Sequence, residues 1–211
     1  MPMTTTLVLI RHGETLWNRE GRIQGHSDSA LTPEGIAQAE ACAQRLHDEV
    51  FDQVVASDLA RARQTTELLI AGRHVPIEYD PAFRERSYGI GEGLTYAELD
   101  ALHHEFVSSI RVTDPDFAVE GSESRRQFHT RVTSAMRKVA AMHAGRRVLI
   151  VTHGGVLAII YRWLNRMHIS SDHRVSIPNV AYNRVAFRGD EWKIEVWADT
   201  AHLDFETSEE A

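Results

Sequence analysis

The chain has 211 residues, 43% hydrophobic and 25% charged, with a formal net charge of -7 and a sequence pI near 5.9. That length suits one domain with a substantial core, and the composition is that of a soluble globular protein rather than a disordered one. The acidic balance offers no global reason to bind nucleic acid or an anionic membrane, and a lone Cys42 excludes an internal disulfide or a C-x-x-C metal motif, so a reducing cytoplasm is the expected compartment.

Residues 1–6 lack the charged start of a signal peptide, and residues 7–10 (Leu-Val-Leu-Ile) are too short a run to span a membrane. Those four residues instead read as a strand covered on both faces. Arg11, His12, Gly13 and Glu14 follow directly, at the strand end where open α/β sheets bind ligands. Residues 13–31 form a long polar loop of the kind that carries function. Thr32-Pro33-Glu34 opens a helix, as N-cap, first-turn proline and dipole-favoured acid. Ile36, Ala39, Ala43, Leu46 and Val50 carry its apolar face to about residue 49.

Val54-Val55-Ala56 is a second strand, and Ser57-Asp58 follow it as candidate caps for a helix over 59–70. Residues 75–79 predict a third strand. Residues 83–93, with three glycines and no period, read as a second functional loop. A helix is expected over 96–110, broken by Asp114-Pro115-Asp116. Another, over 124–143, is expected to bury Phe128, Val132, Ala135, Val139 and Met142. Residues 148–151 make a fourth strand that ends in Thr152, His153, Gly154 and Gly155, with a helix over 156–167 behind it. Gly189-Asp190 separates two strands of a terminal hairpin.

Strands alternating with helices predict an α/β fold, with a mainly parallel central sheet flanked by helices. The strand ends would then converge. Two imidazoles and two guanidiniums suit a divalent cation poorly. They suit a phosphate dianion well, because a guanidinium matches phosphate oxygens in bidentate fashion and stays charged. Backbone N–H groups at Gly13 and at Gly154-Gly155, where a helix begins, would approach that anion closely.

The motifs R-H-G-E-T at 11–15 with Asn18, Q-G at 24–25, L-T-P-E-G at 31–35, S-D-L-A-R-A-R-Q-T at 57–65, F-R-E-R-S-Y-G at 83–89, G-S-E-S at 121–124 and T-H-G-G at 152–155 occur in family order. Together they resemble the histidine phosphatase superfamily, also called the phosphoglycerate mutase-like family. The resemblance implies a three-layer phosphoglycerate mutase-like sandwich over residues 1–211, with a short helical cap at about 94–120. It implies His12 as nucleophile, Arg11, Arg61 and His153 as the phosphate pocket, and Glu85 as the acid for the leaving oxygen. Asn18, Gln24, Gly25 and Gly154 match phosphate-binding or substrate-loop positions. Glu14 and Arg63 are read as structural neighbours, Glu123 as a brace or cap, and His26 as surface.

No metal or other cofactor is implied, and the expected partner is a small phosphorylated substrate, with no nucleic acid, no membrane and no assigned oligomeric state. The cap is shorter than in cofactor-dependent mutases, with Arg111 its only Lys or Arg, and T-H-G-G fits hydrolases better than the A-H-G-N of mutases. The resemblance therefore favours a phosphohistidine phosphatase. A phosphoglycerate mutase, which would use 2,3-bisphosphoglycerate, is the runner-up. A non-catalytic phospho-ligand binder and a metal-dependent hydrolase are further alternatives, although the former would be expected to lose His12 or Glu85.

Overall fold

The computed structural model describes residues 3–104, 114–169, 171 and 175–203. Strand β1 is Thr5–Arg11, and after a short helix α1 (Leu16–Glu20) comes α2 (Pro33–Arg45). Then follow β2 (Gln53–Ala56), α3 (Ala60–Leu69), β3 (Ile77–Tyr79), α4 (Tyr96–Leu102) and α5 (Arg125–Met142). Strand β4 (Arg147–Thr152), α6 (Gly154–Leu164) and the hairpin β5 (Tyr182–Arg188) and β6 (Glu191–Asp199) complete the described elements.

The strands form one six-stranded sheet in the order β3-β2-β4-β1-β5-β6. The first four run parallel, while β5 and β6 are antiparallel to their neighbours. Side chains alternate across the pleat, so Leu7 and Leu9 pack on α5 and α6 while Val8 and Ile10 pack on the opposite face with α2 and α3. This is the three-layer arrangement the sequence predicts. All four side chains are fully buried, each stabilising the fold by roughly 1.5–3 kcal/mol relative to exposure.

Several boundaries move. Helix α2 stops at Arg45 rather than near 49, because the Arg73 guanidinium takes the carbonyls of Leu46 and Glu49 as the chain turns, leaving Val50 81% exposed. The third strand begins at Ile77, two residues late. Helix α4 leaves helical geometry at His103, and residues 105–113 of the expected cap, including Arg111, lie outside the described residues. In α5 the expected core positions Phe128, Val132, Ala135 and Val139 are buried, but Met142 in the last turn is exposed and Met136 and Ala140 are buried instead. Gly189 and Asp190 both have positive φ, as a two-residue type I′ hairpin turn requires.

Candidate active site

Arg11 pairs with Thr152, and Ala56 with Val151, so β1, β2 and β4 end in step. Arg11-His12, Ser57 and His153 therefore stand along one sheet edge. Beside them a cavity of about 320 Å³ is lined by Arg11, His12, Asn18, Gln24, Gly25, Arg61 and Glu85, together with Trp17, Ile23, Tyr88 and Tyr96. Seven of the expected residues thus share one cavity. His153 does not line it: the ring is fully buried, with its centroid 5.1 Å from that of His12. Gly154 lies against the Arg11 guanidinium, where a Cβ would come 3.3 Å from Nε.

The His12 ring is fixed by its own backbone. Nδ1 lies 2.8 Å from the Gly13 carbonyl, an acceptor only, so Nδ1 carries the proton and Nε2 keeps its lone pair. Burial, reinforced by the charges of Arg61 and Arg11, holds the His12 pKa well below the ordinary imidazole value. The ring is therefore neutral at neutral pH. His153 is depressed in the same way, first by burial and then by Arg61, His12 and Arg11.

Arg61 projects from the first turn of α3 and is 1% exposed. Its Nη1 donates to Ser27 O and to Asp28 Oδ1 at 2.7 Å, and its Nη2 to Gly25 O at 2.7 Å. Arg11 Nη1 donates to Ile177 O at 2.7 Å. Burial lowers both guanidinium pKa values, but groups of such high intrinsic basicity stay charged. Arg11 Nε, Arg61 Nε, His153 Nδ1 and Gln24 Oε1 are buried and meet no protein partner. Buried polar atoms are ordinarily satisfied, so orphaned cationic donors at a cavity point to an anionic ligand.

Glu85 is held by main-chain amides, Oε1 accepting from Arg86 N and Oε2 from Gly155 N, each at 2.8 Å. Its loop is braced by Arg131, which donates to the carbonyls of Ala82, Arg84 and Glu85 and pairs with Glu123 at 2.5 Å. Glu123 of G-S-E-S is thus the brace, while Ser124 caps α5. Glu14 accepts from Thr32 and Arg19, and Arg63 donates to Asp58 O, both in structural roles. His26 departs from the surface reading: its Nε2 lies 2.9 Å from Glu85 O, in the loop that carries Gln24 and Gly25.

Three contributors carry no sequence signal of their own, and a fourth, Ser57, is marked by the sequence as a candidate cap rather than as a partner of His153. Asp28, from the polar loop, accepts the amides of Ala60 and Arg61 and so caps α3, a role the sequence assigned to Ser57 or Asp58. Glu92 accepts from the amides of His26, Ser27 and Tyr88, tying the two loops together. Asn179 Nδ2 donates to His12 O at 2.9 Å and to Asn18 Oδ1 at 3.3 Å, which leaves the Asn18 amide N–H₂ for the cavity. Ser57 Oγ lies 2.7 Å from His153 Nε2. Among the described residues, no three His, Cys, Asp or Glu side chains converge to hold a metal ion, and no helix is long and apolar enough to cross a membrane.

Two buried guanidiniums whose Nε atoms meet no protein acceptor thus stand with two imidazoles at the strand-end edge of a mainly parallel sheet, in an α/β fold. The chain belongs to the histidine phosphatase superfamily: the family model for its branch 1 matches residues 7–200. It is 36% identical over 203 residues to phosphoglycerate mutase-like protein 4 of Arabidopsis thaliana, covering 94% of this chain and 86% of the relative. It is also 36% identical over 202 residues to a metal-independent phosphoserine phosphatase of the same organism, covering 94% and 83%. Among solved structures, YhfR of Bacillus stearothermophilus superposes with a TM-score of 0.89 at 30% identity, covering 95% of this chain and 100% of that one.

Proposed function

We propose that this protein is a metal-independent phosphomonoester hydrolase that acts through a phosphohistidine on a small phosphorylated metabolite. One observation carries the reading: the Gly13 carbonyl holds the His12 proton on Nδ1, so the neutral Nε2 is the free nucleophile in a cavity that Arg11 and Arg61 also line. The Nε2 lone pair attacks phosphorus, the ester P–O bond breaks, and Glu85 gives its proton to the leaving alkoxide oxygen. Arg11 and Arg61 stabilise the charge on the equatorial oxygens. Water then attacks the phosphorus of phosphohistidine, Glu85 takes the proton, the P–N bond breaks and inorganic phosphate leaves.

The metal-independent relative supports hydrolysis without a metal ion, and the cavity volume suits a small substrate. Phosphoserine therefore belongs on the first panel. Phosphate release from small phosphomonoesters is to be measured in the presence of a chelator, on wild type and His12→Ala, beside 3-phosphoglycerate mutase turnover with and without 2,3-bisphosphoglycerate. Chelator-resistant release that is lost in His12→Ala is the expected result. Fast mutase turnover with little phosphate release would overturn the hydrolase reading in favour of phosphoglycerate mutase, the activity suggested by the other relative's name.

A further inference from the structure

Ser57 sits at the turn between β2 and α3, with its amide bonded to Val151 O of β4 and its side chain fully buried. Its Oγ lies 2.7 Å from His153 Nε2 and 3.4 Å from the amide nitrogen of Leu59. Leu59 N–H is a donor only, so towards it the hydroxyl oxygen accepts. The hydroxyl hydrogen needs an acceptor of its own, and among the described residues the one within reach is His153 Nε2. If Nε2 carried the proton instead, two N–H donors would face one buried oxygen and the hydroxyl hydrogen would be stranded, an arrangement that buried polar groups avoid. The direction of the bond follows: Ser57 donates and Nε2 accepts.

We propose that Ser57 is a positioning residue whose hydroxyl fixes His153 as the Nδ1–H tautomer and so presents that N–H to an oxygen of the phosphoryl group transferred to His12. Nδ1 is the ring atom that is buried without a protein partner. The same sheet edge thus holds two imidazoles with the proton on Nδ1, used in opposite ways. In His12 that proton is consumed internally by Gly13 O, freeing Nε2 as a lone pair; in His153 Nε2 is consumed by Ser57, freeing the N–H as a donor. The burial that keeps His153 neutral leaves fixed charge to Arg11 and Arg61, and makes its hydrogen-bonding polarity depend on one hydroxyl.

The assignment rests on the proposed phosphoryl transfer, and its test separates the two. Nitrogen-15 NMR of substrate-free wild type, with resonances assigned through His153→Gln, reads the tautomer without turnover: Nδ1 protonated and Nε2 unprotonated is expected, and a protonated Nε2 overturns the assignment. Addition of inorganic phosphate is expected to move the Nδ1–H resonance downfield, and no movement at saturation overturns the proposed contact. Ser57→Ala is expected to mix the tautomers and to lower kcat/KM about a hundredfold, with Ser57→Thr recovering the single tautomer. Ser57→Ala activity within twofold of wild type would overturn the role, whereas failure of wild type to form phosphohistidine would overturn the proposed function and leave the tautomer result standing.

Discussion

Glu85 Oε2 accepts the Gly155 amide at 2.8 Å, and a Cβ on Gly155 would stand 2.1 Å from Oε1 of the same carboxylate. The second glycine of T-H-G-G is therefore room for Glu85, at the start of the helix behind His153. Gly155→Ala is expected to displace the carboxylate by about an ångström and lower kcat on the order of a hundredfold. The obstructed atoms end a flexible side chain, and alanine favours a helix over glycine by about 1 kcal/mol. Thermal stability should accordingly hold or rise while kcat collapses. Parallel losses in both would contradict the assignment.

Three imidazoles are depressed, His12, His153 and, by partial burial and the charges of Arg137 and Arg126, His129, and the two fully buried ones make stability depend on pH most strongly. In the unfolded chain His12 and His153 bind protons below about pH 6.5, while in the folded protein they stay neutral until well below that. Their stabilising effect is present above pH 6.5 and is lost as pH falls from there towards the folded values. The slope is up to about 1.4 kcal/mol per pH unit for each ring. Urea unfolding between pH 7.5 and 5.5 should show this loss, and His12→Gln should reduce its steepness by up to about 1.4 kcal/mol per pH unit. An unchanged slope would contradict burial in the neutral form. Asp199, held at about 2 first by its bond to Arg45, acts in a separate window, its contribution being lost only as pH falls through roughly 4 towards 2.

Asp28 joins stability to the site, because one carboxylate caps α3 and pairs with Arg61. Removing a cap costs about 1 kcal/mol. Stranding the buried guanidinium adds to that, less than for a fully buried pair because Asp28 is 31% exposed. Asp28→Ala is expected to lose roughly 2–3 kcal/mol in urea unfolding and to raise KM as Arg61 loses its orientation. A stable variant with unchanged KM would sever that link.

Asn179 is predicted to act through polarity rather than size. Asn179→Asp replaces the N–H₂ that faces His12 O and Asn18 Oδ1 with an oxygen, setting acceptor against acceptor. Phosphate, as a competitive inhibitor, should bind at least about tenfold more weakly, while Asn179→Ser, which keeps a donor, should lie between. Equal inhibition constants for all three proteins would remove Asn179 from the site.

The readable part of the site lies where local sequence and function coincide. An apolar run followed at once by Arg11-His12, or by Thr152-His153, announces a buried strand with chemistry at its end, and the parallel sheet brings those ends together. What stayed hidden depends on pairings distant in sequence. Nothing local marks Asp28 as the cap of a helix thirty-odd residues on, or Asn179 as a partner of His12, because each is an ordinary polar loop residue until the fold closes. Ser57 was visible as a candidate cap, and that local reading concealed its bond to His153 across the sheet. The shortened α2 has the same origin, since Arg73 arrives from beyond α3 to take the carbonyls of Leu46 and Glu49.

The phosphohistidine on His12 is tested most directly by trapping it: wild type is mixed with a reactive phosphomonoester, quenched in alkali within milliseconds, and mapped by peptide mass spectrometry. An acid-labile phosphoryl group is expected on His12, attached at Nε2 because the Gly13 carbonyl occupies the other nitrogen, and none in His12→Ala. Phosphate found on another residue, or His12→Ala releasing phosphate at the wild-type rate, would contradict it.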